Sequence, residues 1–383
     1  MQLRTVAGYV CLLGGQLLAQ SGGSGAAAAP APTPTPAPAP PPASGLVSKP
    51  IAKNGYSFSA MWDQYYSNGT NNPGSGVNRF RNFDVNADGG GLNMLKFALD
   101  KEPAPLGFRV DVGFGAAFDY FHIATPRPQK EFSRHLIQGY VSLKPTAWKG
   151  VQVDFGKFYT SAGAELTETQ KGWNYSRSLL YTNGPYFHTG LRVAAPVTEK
   201  NTIGFQLVQG WNNIEDNNSG KTVGLTHLFT NGKVTWANNY YVGPEQSGSA
   251  PPIRNFYDTV LSVTVNDKVA FLANFDAGNE TKGAGNFHGL SAAAQFKIGK
   301  YFAFSPRADY YHDSNGITTG TAQTLREVTL TGDIKVREGF LIRGEFRNDW
   351  SSAGVFEKGR ANTPAKSQPT VLIGFVAWIG HKN

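Results

Sequence analysis

Cysteine is almost missing from this chain: the single residue of its kind, Cys11, falls in the first apolar stretch. The remainder of the chain can close no internal disulfide and offers no cysteine-based metal site. Methionine is scarce, with 3 residues, and charged side chains make up only 16% of the whole, which suits many turns and strands better than helices built from Leu, Ala, Glu and Lys. Neither Gly-x-Ser-x-Gly nor His-Glu-x-x-His occurs, and the seven histidines are dispersed, so no hydrolase or zinc-protease motif is present. The formal charge is +8, yet Lys and Arg are interleaved with acids along the chain. Without a basic stripe and aromatic platforms there is no footprint for nucleic acid, and the positive balance hints at anion preference instead.

The first residues read as a secretory signal peptide, 1–19: Arg4, an apolar core from Val6 to Leu18, and Leu17-Leu18-Ala19 before Gln20. The apolar run is short of the ~20 residues of a spanning helix. Residues 20–54 form an Ala/Pro-rich spacer, for which the expectation is an extended or disordered segment. Binding of this tract to a partner in the cell wall is the sharper alternative to a plain linker.

From residue 55 to 383 the pattern is β. Runs of alternating polar and apolar residues begin near Tyr56, Gly90, Gly107, Phe132, Gly150, Pro185, Lys200, Gly220, Gly232, Asn255, Asp267, Gly285, Lys300, Thr324, Glu338 and Pro369. About sixteen runs of roughly the 9–11 residues that a tilted outer-membrane strand needs predict an all-β, transmembrane, antiparallel up-and-down barrel. Short connections such as Asn231-Gly232 and Asn266-Asp267 alternate with long ones such as Ser67 to Gly89, Thr160 to Gly184, Gly278 to Ala284 and Ser351 to Gln368. A soluble sandwich has no reason to sort its loops by length onto two ends, whereas a membrane barrel does.

The register follows from energy. An Arg or Lys facing lipid at the midplane costs about 2–4 kcal/mol. In FRVDVGFGAAF, therefore, Phe108, Val110, Val112 and Phe114 meet lipid while Arg109 and Asp111 point inward. The same reasoning turns Arg192, Arg307, Asp309, Glu327, Asp333, Lys335, Arg343, Glu345 and Arg347 toward a charged, wet lumen. In VLIGFVAWIG both faces are apolar and no face can be assigned. Trp62, Tyr65, Tyr120, Tyr159, Trp211, Tyr240, Tyr241, Tyr310 and Trp350 toward the long loops, with Trp148 and Tyr301 toward the short turns, suggest two interfacial girdles.

Three stretches call for chemistry. The insert TSAGAELTETQKGWNYSRSLLYTN follows GVQVDFGKFY, is too long for a hairpin, and carries Glu165, Glu168, Lys171 and Arg177 with Trp173 and Tyr175 as anchors. Folded into the barrel mouth, it would narrow the pore and set a transverse field; as a plain outer loop it would do neither. Asp84, Asn86 and Asp88 open like a calcium loop, but Leu95 stands where a bidentate Glu is needed, so a polar turn is the preferred reading. His188, near Arg192, is the only histidine worth weighing for a lipid-acting enzyme, and a structural histidine is its default.

FRNFDVNADGGGLNMLKFALDKEP, GFRVDVGFGAAF, QGYVSLKP, VDFGKFYTSAGAE, NYSRSLLYTNGPYFHTGLRV, QGWNNIEDNN, REVTLTGDIKV and LIRGEFRNDWS, in this order and spacing, resemble the OmpL-like β-barrel outer-membrane porins. The resemblance covers nearly everything after Tyr56; the Ala-Pro spacer is not part of the pattern. It implies a channel in the outer membrane of a diderm bacterium, embedded in lipid and passing small hydrophilic solutes without a cofactor. Glu165, Asn174, Tyr175, Ser176, Arg177, His188, Arg192, Trp211, Asn212, Arg307, Asp309, Arg343, Glu345 and Arg347 then become candidates for loop anchoring and pore lining. The chain would act as a monomer or a homo-oligomer such as a trimer. A plugged structural or adhesin barrel is the rival from another class, and a lipid-acting barrel enzyme a third reading.

Overall fold

The computed structural model describes residues 51–53, 55–122 and 133–380. The expected signal peptide, and all of the spacer except its end, lie outside them. Sixteen long strands are present among the described residues. They are β1 (Tyr56–Gly69), β2 (Asp88–Lys101), β3 (Leu106–Phe114), β4 (Leu136–Leu143), β5 (Gln152–Tyr159), β6 (Phe187–Pro196), β7 (Asn201–Val208) and β8 (Thr222–Thr230). They continue as β9 (Val234–Pro244), β10 (Ile253–Asn266), β11 (Val269–Glu280), β12 (Gly285–Ile298), β13 (Phe302–Asp313), β14 (Gln323–Arg337), β15 (Phe340–Ser351) and β16 (Ser367–Ile379). Each pairs antiparallel with its neighbour in sequence, and β16 pairs with β1, so the sheet closes on itself. Closure leaves no unpaired edge, which hydrocarbon would not tolerate. The last spacer residues, Ile51–Lys53, add a short strand against β1.

Alternation sorts the side chains as the energetic argument requires. Phe155, Leu225, Leu290, Ile334, Val371 and many others are exposed on the outside, while Asp111, Asp154, Arg307, Glu327, Asp333, Arg343, Glu345 and Arg347 are buried on the inside. Phe155 stands mid-strand and is 64% exposed. Phe155→Arg is expected to lower the unfolding free energy in lipid vesicles by about 2–4 kcal/mol, read from urea titration of tryptophan fluorescence. An unshifted midpoint would put this face away from hydrocarbon.

Several expectations are corrected. The third run ends at Phe114, because Gly115 has φ +114° and leads into a helix, α1 (Ala116–Phe121), whose Ala117, Phe118 and Phe121 are buried. The connection expected at Gly278 to Ala284 shrinks to residues 281–284, since the strands pair up to Glu280 and Gly285. Not all of the aromatics form girdles: Trp62, Tyr240, Tyr310 and Trp350 face outward, but Tyr65, Tyr241 and Trp211 are buried and Tyr120 lies in α1. In the pairs Tyr65-Tyr66 and Tyr240-Tyr241 one ring goes to each face, and the inward ones pack inside the barrel, Tyr65 on Tyr175 at 5.6 Å and Tyr241 on His188 of β6 at 5.0 Å.

Candidate functional site

Residues 160–186, loop 3, run inside the barrel. The loop starts where β5 ends and returns through a short helix, α2 (Leu179–Asn183), capped by Ser178, whose hydroxyl accepts from the Tyr181 N–H. Leu179 and Leu180 pack in a cluster with Tyr241, Phe256, Phe287 and Tyr311 from β9, β10, β12 and β13. This inner apolar partner explains why β16 is apolar on both faces: Val371 and Ile373 face out, while Leu372, Val376 and Trp378 cluster inside with Tyr175. Gly374 sits beneath the Tyr175 ring, and a Cβ there would lie 2.5 Å from Tyr175 Cδ2. Gly374→Val should therefore push loop 3 off the wall, seen as faster proteolysis within residues 160–186; unchanged cleavage would mean that the ring simply rotates away.

Three arginines hold the loop by its backbone. Arg343 donates to the carbonyls of Thr169 at 3.1 Å, Asn174 at 2.8 Å and Gly172 at 2.9 Å, and grips both carboxylate oxygens of Asp333 at 2.6 and 2.8 Å. Arg307 donates to Ser176 O at 2.7 Å, Glu165 Oε1 at 3.0 Å and Glu327 Oε1 at 2.9 Å. Arg347 donates to Arg177 O at 2.5 Å and pairs with Asp349 at 2.6 Å and Glu327 at 3.2 Å. In return the Glu345 carboxylate accepts from the N–H groups of Tyr175 at 2.7 Å and Ser176 at 3.0 Å, and Asp309 from that of Leu179 at 2.9 Å. A fork of five N–H donors suits this task, since one guanidinium can satisfy several orphaned carbonyls together with a carboxylate.

The expected pore charges on the loop are thus mostly engaged in anchoring. Glu165 pairs with Arg307 and accepts from the Ser178 N–H at 2.7 Å, and Glu168 is buried against Lys96. Arg177 is buried and donates to the Leu166, Tyr175 and Thr167 carbonyls of its own loop. Lys171, 3.8 Å from Glu168, keeps 29% side-chain exposure. The expected lumen residues face inward but divide into two groups. On β13 to β15, Arg307, Arg343 and Arg347 retain only 1–2% exposure beneath the loop. On the opposite wall Arg109 keeps 25% and Arg192 11%, each held by a carboxylate, Asp111 at 2.8 Å and Asp154 at 2.6 Å. Lys335 lies near the short-turn end of β14, half-buried.

Residues that sequence reasoning missed complete the seat. Asp63 of β1 accepts from Tyr175 Oη at 2.7 Å, Thr169 Oγ1 at 2.6 Å and Asn93 Nδ2 at 3.0 Å. Lys96 of β2 lies 2.7 Å from Asp111 and also pairs with Glu168. Both were within reach of the midplane argument, since each is a charge set among apolar neighbours of a strand.

Asp84, Asn86 and Asp88 do not converge. Asp84 is buried and pairs with Arg81, the Asn86 carbonyl accepts from Asn78 at 3.0 Å, and Asp88 is exposed at the start of β2. His188 is buried, with its two ring nitrogens bonded to Gly210 O and Thr160 Oγ1 at 3.0 Å each.

Just past the end of β9, Glu245 ties two of the long connections together. Its carboxylate accepts from the Trp211 N–H at 2.6 Å and Thr222 Oγ1 at 2.7 Å. Burial pushes this acid up to about 7 from 4.5, partly offset by the Thr222 and Trp211 hydrogen bonds. A raised carboxyl favours the fold while it is protonated, so the contribution is full below pH 4.5 and declines as pH rises through about 7. Proteolysis of residues 209–221 should accelerate over that interval in the native protein and stay level in Glu245→Gln; an equal rise in both would assign it elsewhere.

A family model described as "Putative beta-barrel porin-2, OmpL-like" matches residues 55–378. Among curated proteins none matches the sequence. Solved structures share the architecture. The outer-membrane channel DcaP of Acinetobacter baumannii aligns with TM-score 0.58 at 10% identity, covering 87% of this chain and 100% of its own. Pseudomonas putida OprB aligns with TM-score 0.57 at 11% identity, covering 88% and 99%. OmpT of Vibrio cholerae, in a trimer form, aligns with TM-score 0.56 at 10% identity, covering 84% and 98%.

Proposed function

Because this chain belongs to the OmpL-like β-barrel porin family of the bacterial outer membrane, we propose that it passes small hydrophilic solutes by passive diffusion, through the gap that loop 3 leaves against β3 to β7. The observation that carries this reading is the contrast in exposure between two sets of inward arginines: 25% and 11% at Arg109 and Arg192 against 1–2% at Arg307, Arg343 and Arg347. Water reaches one side of the lumen, and the loop fills the other. Arg109, Arg192 and Lys171 form the positive edge of the constriction, giving modest anion or sugar tolerance. Glu165, Glu168 and Arg177 act by holding the loop in place. No catalytic step belongs to this reading, and His188 is structural.

Planar-bilayer recordings test it. Discrete ohmic steps with a reversal potential of anionic sign in a KCl gradient are expected; clear cation preference would overturn the charge assignment. The rival plugged barrel draws on the near-complete burial beneath loop 3 and predicts a silent bilayer. For assembly, the trimer form of the Vibrio cholerae structure supports a homotrimer over a monomer, which light scattering in detergent decides. A cleaved leader at Ala19 is part of the same reading, checked by the N-terminal sequence of the mature protein.

A further inference from the structure

At the short-turn mouth, below the side that loop 3 fills, four lysines line one hollow of about 420 Å³: Lys268 in the β10–β11 turn, Lys297 near the end of β12, Lys300 in the β12–β13 turn and Lys335 near the end of β14. The backbone brings them together, since the Lys297 N–H donates to Lys268 O at 2.8 Å and the Lys335 N–H to Tyr301 O at 2.7 Å. Asp267 is the sole carboxylate of the lining, and the charges that act on Lys297 are Lys335 and Asp267. The next acid inward, Asp333, faces Lys335 as well, with both of its oxygens held by Arg343.

We propose that this hollow binds a polyvalent oxyanion of the polyphosphate or phosphoester class. Ammonium groups crowded around one concavity repel each other and raise the local potential, and a ligand carrying several negative oxygens relieves that repulsion as single chloride ions cannot. Lysine supplies the matching chemistry: three donors on a flexible stem, able to meet a phosphate from different directions. The hollow accommodates a short chain of phosphates, with Gly299, Phe302 and the lysine stems forming its wall and the ammonium groups its charge, and it is open to solvent. The site lies between β10 and β14, apart from Arg109 on β3 and Arg192 on β6.

Calorimetric titration of the full chain in a non-ionic detergent, with inorganic tripolyphosphate as the probe, tests it. Saturable binding is expected, weakened by about tenfold or more in Lys297→Gln/Lys335→Gln. Lys268→Gln/Lys300→Gln, with both changes in or next to turns, should weaken it similarly, and retention of the heat-modifiable gel shift verifies that each variant is folded. Lys144→Gln/Lys149→Gln, in a different short turn, should bind like the native chain. Absence of saturable binding, or equal weakening in all three variants, overturns the site. Because the readout is binding heat, a barrel that proves silent in bilayers leaves this test intact.

Discussion

Arg343→Leu should free loop 3 and raise single-channel conductance severalfold, with noisier open levels. Leucine abandons Asp333 in a buried position and leaves the carbonyls of Gly172 and Asn174 without their donor, while Thr169 O keeps the Gly172 N–H at 3.2 Å. Removing one partner of a buried ion pair costs about 3–5 kcal/mol, and each orphaned carbonyl adds about 1–3 kcal/mol unless water reaches it. The barrel ladder is untouched, so the cheapest relief is for the loop to leave the wall and let water in. Arg343→Lys should fall between, because an ammonium keeps the charge near Asp333 but cannot reach three carbonyls at once. A folded Arg343→Leu barrel with native conductance would mean that the remaining anchors, Arg307, Arg347 and Glu345, hold the loop alone.

The second large effect concerns ion selectivity. In Arg109→Gln/Arg192→Gln the wet wall loses two positive charges, and their partners fare differently. Asp111 retains Lys96 at 2.7 Å. Asp154 keeps only the neutral donors Ser142 at 2.6 Å and Gln152 at 2.8 Å. A net negative charge then borders the gap, and the reversal potential in a KCl gradient should change from anionic to cationic sign. Glutamine is shorter but keeps an amide donor, and the barrel ladder is untouched, so the fold and the conductance should change little. Persistence of the anionic sign would place the selective charges elsewhere along the passage.

Much of this was legible in the sequence for one physical reason. A strand buried between hydrocarbon and water must alternate, and a misplaced charge is costly enough to settle the register of β3, β6, β13, β14 and β15. The placement of a loop among those strands is a different kind of information. Whether the 160–186 segment goes in or out depends on contacts such as Glu345 with the Tyr175 N–H or Asp63 with Tyr175 Oη, which join residues more than a hundred positions apart. No local pattern encodes them. The ambiguity of VLIGFVAWIG had the same origin: its second apolar face belongs to Tyr175. Composition likewise offered no means of telling Arg109, which keeps contact with water, from Arg343, which does not.

Thiol accessibility tests the water passage most directly, since Cys11 is the one native cysteine of the sequence and lies outside the barrel strands. Tyr140→Cys stands on β4 beside Arg192, whereas Thr331→Cys lies buried on β14 under loop 3. A charged thiosulfonate added to the conducting channel should react quickly with the first and cut the current, and leave the second untouched. Equal protection of both, with current unaffected, would contradict a passage between the inserted loop and the β3 to β7 wall.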